Sequence, residues 1–70
     1  MRKHSVSIDG HSTSVSLEDA FWEELSKLAK ARGLSLAALV AEVDRGRGTI
    51  KNLSSALRLH VLENLKRARG

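Results

Sequence analysis

The chain contains no cysteine, no proline and no tyrosine. Without cysteine there can be no disulfide and no thiolate zinc site. The three histidines, His4, His11 and His60, are too few to staple a core through a metal. No apolar run approaches the roughly 18 residues that a membrane-spanning helix needs. No hydrophobic signal segment follows Met1-Arg2-Lys3-His4-Ser5, so neither membrane nor secretion is expected and the cytoplasm is the expected compartment. Catalytic signatures are missing as well: there is no Gly-x-Ser-x-Gly elbow, no phosphate-binding glycine loop and no pair of carboxylates in an enclosing fold. Neither an enzyme nor a cofactor is expected.

What remains is a chain of 70 residues, enough for one domain whose core stabilises it weakly, because so much of a small fold stays in contact with water. Small domains supplement such cores with disulfides, metals or a partner chain. The first two are excluded, which leaves the partner chain.

Charge is uneven. The net charge is +4, yet residues 1–44 hold five basic and seven acidic side chains, while residues 45–70 hold seven basic and one acidic. A basic C-terminal third points to an anionic partner such as nucleic acid or a membrane surface.

With no proline, glycines and capping residues punctuate the chain. Asp9-Gly10 is a strong two-residue turn signal between the alternating runs Ser5-Val6-Ser7-Ile8 and Ser12-Thr13-Ser14-Val15-Ser16-Leu17, and it predicts a β-hairpin over about residues 4–17. The turn sets the register: Ile8 opposite His11, Val6 opposite Thr13 and His4 opposite Val15. Ser7 then meets Ser12, Ser5 meets Ser14 and Lys3 meets Ser16, so one face is mostly apolar and the other is serine and lysine.

A first helix is predicted over about residues 18–32, opened by Glu18 and Asp19 and closed by Gly33. It carries Phe21, Leu25, Leu28 and Ala29 as a buried stripe with Trp22 beside it. A short helix over about residues 35–45 starts at Ser35 as N-cap, shows Leu36, Leu39, Val40 and Val43 on one face, and breaks at Arg45-Gly46-Arg47-Gly48. A third helix, over about residues 53–68, opens near Asn52 or Ser54. Its Leu53, Ala56, Leu57, Leu59, Val61, Leu62 and Leu65 cover more than a narrow stripe and call for cover from more than one side. His4, Asp9 and His11 come nearest to a metal site, but the two histidines are separated along the hairpin and lack a third good ligand.

The order strand, helix, glycine turn and helix opened by small polar residues resembles the ribbon-helix-helix family, the Arc and MetJ class. The stretch Thr13-Ser14-Val15-Ser16-Leu17-Glu18 with Phe21, Leu25, Leu28, Ala29 and Gly33 resembles the family's strand and first helix, and Asn52-Leu53-Ser54-Ser55-Ala56-Leu57-Arg58 resembles its second-helix opening. Together with Gly10-His11 and Phe21-Trp22, these stretches look like a group of short bacterial proteins with a variant of the domain.

The resemblance implies an α+β, mostly helical homodimer, with a hairpin and three helices per subunit, in which one strand per subunit pairs across a two-fold axis. It implies a DNA-binding transcriptional regulator, a repressor by family habit, whose ribbon enters the major groove while a helix N-terminus holds a phosphate. Carried onto this chain, the base or groove contacts are Ser12, Ser14, Ser16 and Lys3. The phosphate contacts are Asn52, Ser54, Ser55, Lys51 and Arg47, with Ser35 competing with Ser54 to mark the phosphate-binding helix. The shared dimer core is Val15, Leu17, Phe21, Leu25, Leu28, Leu57 and Val61.

Two features depart from the family pattern. An extra short helix and a Gly/Arg loop separate Gly33 from Asn52. The added strand also makes a four-stranded sheet, order 1-2-2′-1′, which fits a major groove about 12 Å wide poorly unless the outer strands bend away. The alternative reading is therefore a protein-interaction module, antitoxin-like or an adaptor, that keeps the dimer scaffold without reading bases. Membrane-surface binding by the basic third helix is weaker, because the core needs its leucines.

Overall fold

The structure, a computed structural model, describes residues 2–68. Strand β1 (Arg2–Ile8) and strand β2 (His11–Leu17) form one antiparallel hairpin, and three helices follow: α1 (Asp19–Ala31), α2 (Leu36–Gly46) and α3 (Leu53–Ala68). Fold class and element order are those expected.

The hairpin turn places Asp9 at φ 51° and Gly10 at φ 82°. Two successive residues in the left-handed region make the turn whose twist matches that of the flanking strands. The pairing runs from Ile8 opposite His11 to Arg2 opposite Leu17, with His4 opposite Val15 and Ser5 opposite Ser14. This is the register read from the sequence. Because side chains alternate across a strand, burying Val15 and Leu17 turns Ser12, Ser14 and Ser16 to the opposite face.

Each helix boundary has a local cause. At the end of α1, the Leu34 N–H donates to the Ala29 carbonyl at 2.8 Å and the Gly33 N–H to that of Lys30 at 3.1 Å. With Gly33 at φ 70°, this is a Schellman closure, which only a residue tolerant of positive φ completes without strain. Ser35 Oγ accepts from the Ala38 N–H at 3.1 Å and opens α2. Asn52 Oδ1 accepts from the Ser55 N–H at 2.8 Å and opens α3, which resolves the choice between Asn52 and Ser54 as the cap. α2 ends at Gly46, inside the Arg45-Gly46-Arg47-Gly48 stretch, with Arg47 as its C-cap and positive φ at Gly48.

The helices lie beneath the inner face of the hairpin, with β1 against α2, β2 against α3, and α1 in contact with both helices. The core joins Val15, Leu17, Leu25, Ala29, Leu39, Val40, Leu57 and Val61, and no polar or charged residue among those described is buried with them. Of the side chains expected in an interior shared between subunits, Val15, Leu17, Leu25, Leu57 and Val61 are at most 1 % exposed within one chain; Phe21 and Leu28 are half-buried. One chain thus closes most of that interior itself. The outer side of α3 stays open, with Leu59, Leu62 and Leu65 at 45–46 % exposure. No described helix is long and apolar enough to cross a membrane.

Truncating the core and removing a cap should differ in size. Leu57→Ala is expected to lower the unfolding free energy by about 2–5 kcal/mol, and Ser35→Ala by about 1 kcal/mol. Urea midpoints at unchanged m-value measure both.

Candidate nucleic-acid interface

The outer face of the hairpin is polar along its whole length. Lys3 lies opposite Ser16, Ser5 opposite Ser14, and Ser7 opposite Ser12. Lys3, Ser5, Ser7, Ser12 and Ser14 are exposed and Ser16 is half-buried. The sequence assignment named only Lys3 and the β2 serines as contacts. The structure adds Ser5 and Ser7 to the same surface, and the hairpin register already contained the signal that could have found them. Serine hydroxyls donate and accept, so they suit phosphate oxygens and base edges alike but discriminate among bases less than a bidentate side chain does.

The α2–α3 connection is the second region singled out from the sequence. Arg47 Nε donates to Asp44 Oδ1 at 2.8 Å, and Nη1 donates to the carbonyls of Ile50 at 2.6 Å and Lys51 at 2.8 Å. This arginine therefore clamps the loop that leads into α3, a role invisible in the charge pattern. Lys51 and Asn52 are exposed, whereas Ser54 and Ser55 in the first turn of α3 are half-buried. The start of α3 and the hairpin turn share a groove lined by Ile8, Asp9, His11, Thr13, Arg47 and Leu53, among others. Arg45, in the last turn of α2, reaches Asp9 at 3.8 Å. Ser35 caps the other end of α2, about 15 Å away along an eleven-residue helix.

Ion pairs lock the elements around this surface. Glu18, between β2 and α1, accepts from Arg58 Nε on α3 at 2.9 Å. That hydrogen bond, helped by Glu18's own backbone, holds the carboxyl below its ordinary value. Arg32 donates to Glu42 through both terminal guanidinium nitrogens, Nη1 and Nη2, joining the end of α1 to α2. The same contact lowers the Glu42 pKa and raises that of Arg32. On the inner face His4 stacks on Trp22, ring centroids 3.9 Å apart and planes 8° from parallel. No sequence spacing announces this pair, since the partners belong to different elements.

A profile of the ribbon-helix-helix domain matches residues 1–65. The chain belongs to the ribbon-helix-helix family. Ribbon-helix-helix domains are in general DNA-binding transcription regulators rather than enzymes, and the family generally dimerises. No curated protein and no solved structure matches the chain. The matched residues span the hairpin, α1, α2 and most of α3.

The two lowered carboxylates give a signed pH dependence. A group whose pKa is depressed on folding stabilises the fold above its ordinary value, and that contribution is lost as the pH falls through the folded value. The wild-type melting temperature should therefore drop as the pH falls below the ordinary value of 4.5. Glu18→Gln should show a shallower drop, starting from a slightly lower plateau. Thermal unfolding from neutral pH downward checks both.

Proposed function

We propose that this protein is a dimeric, cytoplasmic DNA-binding regulator, acting as a repressor, that meets duplex DNA with the outer face of its hairpin and the N-terminus of α3. The observation that carries this reading is the continuous serine and lysine face, displayed on a strand pair whose other face is fixed to the core. Family membership supplies the functional class. A two-stranded ribbon is one of the elements a major groove admits, and a helix N-terminus with free N–H groups favours phosphate.

In this reading Lys3, Ser12, Ser14 and Ser16 contact bases or groove walls, joined by Ser5 and Ser7. Ser54, Ser55 and Asn52 line the phosphate site and Lys51 adds a point charge. Arg47 serves the same site by holding its loop, with its guanidinium committed to Asp44 and two carbonyls. The groove shared by the hairpin turn and Leu53 supports α3 over α2 as the phosphate-binding helix, because Ser35 stands at the far end of α2. As a repressor, the dimer would act by occupying its operator and excluding other proteins from it.

The protein-interaction alternative draws on the exposed leucines of α3 and on the lack of arginine, asparagine and glutamine on the ribbon face. It differs in requiring no affinity for DNA. Fluorescence polarisation with mixed duplex DNA at two salt concentrations separates the readings. Binding that weakens linearly with the logarithm of salt is expected, and no binding even at low salt would remove the regulator reading. Lys51→Ala should weaken binding to all sequences alike and reduce the salt slope by about 1.

A further inference from the structure

Resting on the dimeric DNA-binding reading, we propose that β1 is a backbone-gripping strand: Lys3, Ser5 and Ser7 meet the sugar–phosphate walls of the groove, while Ser12, Ser14 and Ser16 of β2 face the base edges between those walls. The outer strand thereby places the sheet on the duplex and leaves the bases to the inner one.

Three observations lead here. The first is strand order. Within one chain β2 pairs only with β1, and its other edge offers N–H and C=O groups to a further strand. Two subunits joined along that edge give the order 1-2-2′-1′, in which β1 is the outer strand on both sides. The second is width. Neighbouring strands lie about 4.8 Å apart, which puts each β2 about 2.4 Å from the two-fold axis and each β1 about 7 Å from it. A major groove about 12 Å wide extends only about 6 Å to either side of its centre. The β2 pair fits between the walls, and the β1 strands overlie them. Register carries this along the hairpin: Lys3 lies opposite Ser16, Ser5 opposite Ser14 and Ser7 opposite Ser12, so each β2 serine has a β1 side chain on its wall side.

The third observation is the charge and anchoring of Lys3. Among the described residues, the outer face of the hairpin carries one cation, Lys3, and it stands on β1; the outward side chains of β2 are all serine. A lysine attracts phosphate as a point charge, whatever the sequence, whereas uncharged hydroxyls can donate to or accept from base edges. Lys3 is also held on both sides. Arg2 Nε lies 3.7 Å from Asp19 Oδ1 on α1, and His4 stacks on Trp22 of the same helix, ring centroids 3.9 Å apart. Successive strand residues point to opposite faces, so with Arg2 and His4 tied to α1, Lys3 projects outward from an anchored stretch of backbone. The basic start of the chain is thereby joined to the helical layer and presents its cation at the edge of the sheet.

Titrations against three duplexes of equal length, one of A·T pairs only, one of G·C pairs only and one of mixed sequence, separate walls from bases. Lys3→Gln should weaken binding to all three by the same factor and lower the salt slope by about 1 for each subunit in contact, so that its deficit shrinks as salt rises. Lys3→Arg, which keeps the charge, should restore the wild-type slope. The double variant Ser5→Ala with Ser7→Ala should also weaken all three alike, at an unchanged slope. The three side chains are exposed, and circular dichroism checks that each variant folds. An affinity ratio between the A·T and G·C duplexes that changes with any of the β1 variants would place β1 on the bases and overturn the proposal. So would a Lys3→Gln slope equal to that of the wild type. In both cases the DNA-binding reading stands, whereas a wild-type chain that binds none of the duplexes removes the two together.

Discussion

Val15 and Leu17 govern the rest of the structure. They are the points at which a seven-residue strand is fastened to the helical layer, and strand geometry allows only one consequence for their neighbours. With these two inward, Ser12, Ser14 and Ser16 must point outward, and the turn at Asp9-Gly10 then commits Ser7, Ser5 and Lys3 to the same side. A slip of one residue would bury hydroxyls without partners and expose valine and leucine, at a cost of several kcal/mol. The polar face is thus a by-product of core packing as much as a surface feature. Its residues are placed by the hairpin register and by the inward anchoring of Val15 and Leu17.

Among the described residues the interior is made of apolar side chains alone, and no buried ion pair fixes one helix against another. That role falls to contacts at the rim: Glu18 with Arg58, Arg32 with Glu42, Arg2 with Asp19 and Arg45 with Asp9. Each is exposed enough to contribute little on its own. Each nevertheless bridges two different elements, so together they favour a single arrangement of hairpin and helices while hydrophobic burial supplies most of the stability. The Arg47 clamp belongs with them, since it shapes the loop from which α3 starts.

Much of this was legible in the sequence because the signals were local. Asp9-Gly10 specifies a turn type, and the turn type specifies a register. Gly33 marks a helix end and Ser35 a helix start through hydrogen bonds that span only a few residues. Other features were hidden because residue type and spacing do not disclose which acceptor or neighbour a side chain will meet. Arg47 resembled a free charge until its acceptors on Asp44, Ile50 and Lys51 were located. Spacing along α3 could show that its apolar surface was too broad for one partner. It could not show that Ala56, Leu57 and Val61 would go to this chain's own core while Leu59, Leu62 and Leu65 were left over.

The chemistry of the hairpin face bears on how such a protein could select a site. Hydroxyls accept almost any hydrogen-bonding pattern, and lysine acts as a point charge, so the face is suited to affinity and poorly suited to telling one base pair from another. Selectivity must then come from elsewhere. In the proposed dimeric reading two sources would be available: the fixed geometry of a symmetric dimer, which demands half-sites at a matching spacing, and the deformability of the DNA. Both depend on how stiffly the subunits are joined.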